Sequence, residues 1–154
     1  MLKEKNTLNL GELDVIYRYE SSMEDRPKIL SSADCLEVLK ELYNADKIGM
    51  QEQFIVIYMN RNNRVIGCSN MFLGGISGVV ADVRIIVSAA LKLLASGVVI
   101  SHNHPSGNLD PSKEDRQVTV KLRDALELFE IKLLDHVIVS PDFRYFSFTN
   151  EGML

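Results

Sequence analysis

Residues 98–115 read VVISHNHPSGNLDPSKED, and this stretch is the most informative part of the sequence about the fold. Its first three residues form a short apolar run of the kind found in strands that are buried on both faces. A loop rich in Pro, Gly and Asn follows, and a Pro-Ser pair then opens a helix. A buried strand that leads through a turn into a helix is typical of layered folds, in which helices cover a β-sheet.

Elements of both types alternate along the rest of the chain. Periodicity and turn residues predict a strand over 13–19, a loop over 21–28, a helix from an N-cap at Ser31 or Ser32 to about Gly49, a hairpin of strands 54–59 and 65–73, helices over 82–96 and 112–129, a strand over 132–139 and a hairpin arm over 145–148. This order predicts the α/β or α+β class with a mixed sheet. We expect residues 1–30 to form an N-terminal strand and loop, partly flexible, and residues 31–154 to form a single domain.

The nearly continuous apolar run over 85–100 is the one stretch that resembles a membrane span. Lys92 and Gly97 interrupt it, and it is shorter than the roughly 20 residues that a spanning helix needs. A buried helix followed by a buried strand explains the run better, so no membrane association is expected. The first 14 residues lack the apolar run of a secretory signal, and we therefore expect a cytoplasmic protein.

Composition narrows the classes of function. The formal net charge is -4, so the overall field of the molecule does not attract phosphate backbones, although a local basic patch can still bind nucleic acid. The two cysteines, Cys35 and Cys68, form no C-x-x-C pair, which fits a reducing compartment and excludes a four-cysteine zinc site. Each is expected to be a small buried apolar residue.

Three potential metal ligands lie within the opening stretch. His102 and His104 are two residues apart at the end of a strand, so their side chains point to the same face. Asp115 lies about one turn inside the following helix, which the short loop brings back over the two histidines. Two nitrogens and one carboxylate oxygen are ligands that zinc takes, and a tetrahedral ion then keeps one position for water. The spacing predicts a catalytic type of metal site.

The residues alone leave several alternatives open. Asp110 and Glu114 compete with Asp115 as the third ligand. Ser112 and Asp115 also have the spacing of a helix-capping pair. Hydrolysis needs a base, and Glu52, directly before the strand at 54–59, is a candidate that sequence barely separates from a solvated surface charge.

The motifs identify a family resemblance. His102-x-His104, followed after seven residues by Ser112-x-x-Asp115, resembles the JAMM signature of JAB/MPN metalloproteases. The segment HNHPSG at 102–107 and the later Leu-Asp-His at 134–136 are similar to the RadC-like bacterial branch of that family. The resemblance extends from about Ser31 onward. The chain is similar to the C-terminal half of full-length RadC proteins, and we expect a short form without their helix-hairpin-helix-like N-terminal portion.

The resemblance implies a fold and a chemistry. The fold is a three-layer JAB/MPN domain, a sheet flanked by helices and similar to the zinc deaminase architecture. One zinc ion is held by His102, His104 and Asp115. Glu52 is the catalytic general acid/base that acts through the zinc water, and Ser112 stabilises the oxyanion, which agrees with its place at a helix N-terminus.

Three functional hypotheses follow. The first is a zinc-dependent peptidase or isopeptidase acting on a peptide or protein. The second is a zinc module without peptidase activity, associated with DNA repair or mobile elements. The third, a deaminase, is set aside because the chain lacks the H-x-E and P-C-x-x-C motifs. A homodimer is one way to cover the edge strands of a small sheet. His136 is interpreted as a core histidine or as a residue that supports the metal site.

Overall fold

The computed structural model describes Arg18, residues 21–73 (the backbone alone for 71–73) and residues 81–154. The elements are α1 (Ser32–Leu42), β1 (Gln53–Met59), β2 (Val65–Leu73), α2 (Val83–Lys92), β3 (Gly97–Asn103), α3 (Lys113–Glu127), β4 (Lys132–Val139) and β5 (Tyr145–Ser147). The strand predicted over 13–19 lies outside the described residues, apart from Arg18.

The described strands form one mixed sheet in the order β2-β1-β3-β4-β5. β1 pairs antiparallel with both β2 and β3, and β4 pairs antiparallel with β5. β3 and β4 are parallel, so the chain must cross over between them, and α3 makes this crossover. All seven residues of β3 are buried, as its apolar sequence predicts for a central strand.

Helices cover both faces of the sheet. α1 packs on one face, where Cys35 and Leu39 contact apolar residues of β1, β3 and β4. α2 and α3 pack on the other face, where Ile86 and Leu122 meet the alternate residues of the same strands. The predicted three-layer architecture, a mixed sheet flanked by helices, is therefore confirmed.

Two helices are shorter than the sequence predicts. α1 ends at Leu42 and not near Gly49, because Tyr43 adopts an extended conformation and its buried hydroxyl lies 2.7 Å from Ser101 Oγ of β3. α2 ends at Lys92 and not near residue 96, because Leu94 adopts a left-handed conformation with φ 51°. In both cases a tertiary contact or local backbone geometry ends the helix before its apolar pattern stops.

The apolar run over 85–100 divides between α2 and β3, as predicted. Within the described part of the chain, no helix has the length and apolar character needed to cross a membrane. Cys35 is buried as expected, but the same prediction for Cys68 is wrong. Cys68 lies on β2, which among the described strands pairs with β1 alone, and its side chain is exposed.

The packing of α3 on the sheet gives a test of the fold. Leu122 is 0% exposed, whereas Leu128 at the end of the same helix is 82% exposed. Leu122→Ala should lower the free energy of unfolding by about 2–5 kcal/mol, because it removes buried methyl groups and leaves a cavity. Leu128→Ala is the matched control and should change it by about 0.5 kcal/mol or less. Urea unfolding measures both, and equal effects would contradict the described packing.

Candidate metal centre

The end of β3 presents two imidazoles on the face that α2 and α3 cover. His102 is buried and its ring stacks beside Phe54 of β1, with the ring centroids 6.3 Å apart and the planes 7° from parallel. His104 lies just beyond the strand, and its backbone N–H still donates to the carbonyl of Val139 on β4. The backbone ladder therefore holds both histidines, and the two-residue spacing places them on one face.

The N-terminus of α3 supplies the carboxylate. Ser112 is the N-cap, and its Oγ accepts a hydrogen bond from the backbone N–H of Asp115 at 3.0 Å. Asp115 Oδ2 in return accepts from the backbone N–H of Ser112 at 2.7 Å, which completes a capping box. Gly107, with φ 79°, lets the loop turn sharply before the helix. The capping interpretation of this pair is confirmed, and the cap also fixes the orientation of the Asp115 carboxylate.

Ligand-type atoms of these three residues converge on one point. His102 Nε2 lies 3.0 Å from His104 Nε2 and 3.1 Å from Asp115 Oδ1, and His104 Nε2 lies 3.6 Å from Asp115 Oδ2. Zinc ligands at about 2.0–2.2 Å from a tetrahedral ion are roughly 3.3–3.6 Å apart, so the observed separations fit that ion. Among the described residues, Asp110 and Glu114 belong to no such cluster. The residues present therefore fit zinc, with Asp115 as the carboxylate.

The protonation of His104 also suits a metal ligand. Its Nδ1 lies 2.6 Å from the carbonyl oxygen of Asn108, and since a carbonyl only accepts, Nδ1 carries the proton and donates. A neutral His104 then has its lone pair on Nε2, the atom that faces His102 and Asp115. A backbone hydrogen bond that fixes the tautomer in this way is usual for metal-binding histidines.

Electrostatics favour a negative charge at Asp115. Partial burial by itself would raise the pKa of its carboxyl group, but the adjoining His102, His104 and Ser112 outweigh burial and hold the pKa well below its usual range. The adjoining Asp115 carboxylate in turn raises the pKa of His104, against the effect of burial. The carboxylate is therefore ionised, as a metal ligand must be.

Glu52 lies at the edge of this cluster. Phe54 pairs with His102 in the antiparallel register of β1 and β3, and Glu52 lies two residues before Phe54, directly ahead of β1. Glu52 lines a cavity of about 300 Å³ together with His102 and Asp115. It also lines a neighbouring cavity of about 520 Å³ together with His104 and Ser112. The structure thus brings all five predicted site residues around two adjoining cavities.

Asn103 is a supporting residue that the sequence interpretation missed. Its buried side chain accepts from the backbone N–H of Gln53 at 2.6 Å and donates to the carbonyls of Ile48 and Gln51 at 2.7 and 3.0 Å. These bonds tie the segment on either side of Glu52 to the strand that carries the histidines. A polar residue between the two histidines, on the opposite face of a buried strand, was the available signal.

His136 and Thr119 form a second polar layer behind His102. His136 on β4 is fully buried, and its Nε2 lies 2.8 Å from His102 Nδ1. Thr119 on α3 lies one turn after Asp115, and its Oγ1 is 2.6 Å from His136 Nδ1. Burial lowers the pKa of His136 well below its ordinary value, and the nearby His102 lowers it further. His136 is thus a buried histidine whose side-chain partners are an imidazole and a hydroxyl, not the carboxylate or backbone group expected for a simple core histidine.

The Asn103 contacts predict a large effect of a small substitution. Asn103→Ala leaves three backbone groups without their hydrogen-bond partner, and it should lower the free energy of unfolding by about 3 kcal/mol. Asn62→Ala, in the exposed β1–β2 turn, is the matched control and should change it by about 0.5 kcal/mol or less. Chemical denaturation of both variants provides the measurement. An Asn103→Ala variant as stable as the parent would refute the supporting role.

Comparison with known proteins identifies the family of this domain. Residues 29–153 match the RadC-like JAB domain. A UPF0758 protein of Flavobacterium johnsoniae is 37% identical over 126 residues, which cover 82% of this chain and 53% of that protein. A UPF0758 protein of Aquifex aeolicus is 36% identical over 131 residues, 85% of this chain and 54% of that protein.

A third relative, from Porphyromonas gingivalis and also named a UPF0758 protein, is 41% identical over 104 residues, 68% of this chain and 46% of that protein. The chain thus spans about half the length of the curated relatives it matches. The extent of the domain match and the identities to these relatives show that the protein belongs to the RadC-like JAB domain family.

Proposed function

We propose that this domain is a zinc-dependent hydrolase of the JAMM type that cleaves an amide bond in a peptide or protein. The observation that carries the proposal is the convergence of His102 Nε2, His104 Nε2 and an Asp115 carboxylate oxygen within 3.0–3.6 Å of one another. An ion bound by these groups would polarise a carbonyl group and lower the pKa of a water molecule at its fourth position.

Glu52 is the proposed general base and acid. It lines the cavities on both sides of the ligand cluster, and its carboxylate accepts a proton from the attacking water. Water adds to the carbonyl carbon, the C–N bond breaks, and the now protonated carboxyl group of Glu52 returns the proton to the leaving nitrogen. One amide and one water thus become a carboxylic acid and an amine.

Ser112 is the proposed donor to the developing negative charge on the carbonyl oxygen. Its Oγ accepts from the N–H of Asp115, so that bond does not use the hydroxyl proton. Ser112 lines the cavity that Glu52 and His104 share. The N-terminus of α3 adds a favourable dipole at this point.

The cavity beside His102 supports a substrate with an apolar side chain. The apolar residues Phe54, Val83 and Val118 line it, together with Lys121. An extended peptide whose scissile carbonyl lies at the ligand cluster can place one neighbouring side chain in this cavity. The UPF0758 relatives' names give no substrate, so the peptide class rests on this geometry and on the family.

Metal content tests the ligand set. The parent protein should bind one zinc ion per chain, and His104→Ala should lose it because one of three ligands is removed. Asp115→Asn should weaken binding strongly, whereas Asp110→Asn, the matched control in the preceding loop, should bind like the parent. Elemental analysis measures the zinc content, and competition with a chromophoric chelator measures the zinc affinity. A parent chain that binds no zinc, or equal effects of the two asparagine variants, would contradict the assignment.

Glu52→Gln separates metal binding from hydrolysis. The variant should keep its zinc and lose peptide cleavage by a factor of about 10²–10⁴, because the amide cannot accept the proton. Glu127→Gln, an exposed carboxylate at the far end of α3, is the control and should cleave like the parent.

Cleavage is followed by mass spectrometry on a peptide library derived from a bacterial proteome. If the parent binds zinc but cleaves no peptide, the result would favour the second hypothesis, a zinc module without peptidase activity. In that case titration with DNA at several salt concentrations is the next measurement, since phosphate contacts release counterions.

A further inference from the structure

We propose that Thr119 and His136 form a relay of hydrogen bonds that holds the proton of His102 on Nδ1 and directs the lone pair of its Nε2 to the metal position. The inference rests on the proposed zinc site and adds two positioning residues to it. Neither residue touches the point on which the three ligands converge, and each acts through His102.

Thr119 determines which atoms of the relay donate and which accept. Its Oγ1 lies 2.6 Å from the backbone carbonyl oxygen of Asp115 and 2.6 Å from Nδ1 of His136. A carbonyl oxygen cannot donate, so the single hydroxyl proton of Thr119 must point to it. Toward His136 the Thr119 oxygen can only accept, and Nδ1 of His136 therefore carries a proton.

The tautomer of His136 in turn determines the tautomer of His102. The ring is fully buried and no carboxylate among the described residues is hydrogen-bonded to it, and a charged imidazolium is costly in such a place. A neutral His136 with its proton on Nδ1 has a lone pair on Nε2. That atom lies 2.8 Å from Nδ1 of His102, so Nδ1 of His102 must donate. A neutral His102 is left with its lone pair on Nε2.

Packing holds the relay in one geometry. The ring of His136 stacks on Phe148, with centroids 4.6 Å apart and planes 14° from parallel. The backbone N–H of His136 donates to its neighbour Asp135 at 2.8 Å, and β4 pairs His136 with Ile100 of β3. The ring therefore has little freedom to flip and exchange its two nitrogens.

The relay couples two ligands that come from different elements. It begins at the backbone carbonyl of Asp115, whose own carboxylate oxygen Oδ1 lies 3.1 Å from His102 Nε2. A shift of the first turn of α3 would thus move the carboxylate and disturb the tautomer of His102 together. Hydrogen-bond partners behind metal ligands typically change metal affinity by a factor of 10–100 when they are removed.

The protonation pattern can be read directly from the parent protein. Two-bond ¹⁵N–¹H correlation spectra of histidine-labelled protein, recorded with and without zinc, identify the protonated nitrogen of each ring. We expect His136 to carry its proton on Nδ1 in both states. A proton on Nε2 of His136 would overturn the relay. Absence of zinc binding or of peptide hydrolysis would count against the proposed function. The zinc-free spectrum tests the hydrogen-bond relay separately, because it needs neither zinc nor a substrate.

Two variants test its effect on the metal. Thr119→Val keeps the shape of the side chain but removes the hydroxyl, and it should lower zinc affinity by a factor of about 10–100 and shift His136 to a mixture of tautomers. Thr119→Ser keeps the hydroxyl and should restore the parent tautomer and affinity. Chelator competition measures affinity, and thermal unfolding verifies that each variant is folded. If Thr119→Val binds zinc like the parent, or if Thr119→Ser is as weak as Thr119→Val, the relay is wrong.

Discussion

The parallel pairing of β3 with β4 is the constraint on which the rest of the site depends. Parallel neighbours cannot be joined by a tight turn, so the chain must leave β3, cross one face of the sheet and return. α3 makes that crossing, and its first turn comes back over the end of β3, where His102 and His104 lie. The carboxylate of Asp115 reaches the two imidazoles because the crossover begins there.

Asp115 combines several roles in one residue. Its carboxylate closes the capping box with Ser112 and faces His102, and its backbone carbonyl accepts from Thr119. The helix N-terminus favours the negative charge that the carboxylate carries. The geometry of the ligand cluster therefore depends on the first turn of α3. If that turn frayed, the cap and the position of the carboxylate would be lost together.

Polar groups that support the site are buried on both faces of the sheet, Thr119 and His136 on the face that carries the ligands and Asn103 on the opposite face. Asn103, Thr119 and His136 are each nearly or fully buried, and each has its hydrogen-bonding groups paired. Unpaired, such groups would each cost about 1–3 kcal/mol. A fully paired polar network inside an apolar layer restricts the rings and carboxylate to one arrangement.

Local patterns in the sequence determined much of this protein. The strand at 132–139, the β1–β2 hairpin, the mixed layered fold and the grouping of His102 and His104 with Asp115 follow from periodicity, turn residues and the first turn of a helix, which act over a few residues. The sequence did not locate the end of α1, where Tyr43 leaves the helix to reach Ser101. Tertiary structure alone decided the bonds of Asn103 and the contact between Thr119 and His136, because their partners lie 17 to 55 positions away. It also decided the tautomers, since a ring nitrogen donates or accepts according to the atom that the fold places opposite it.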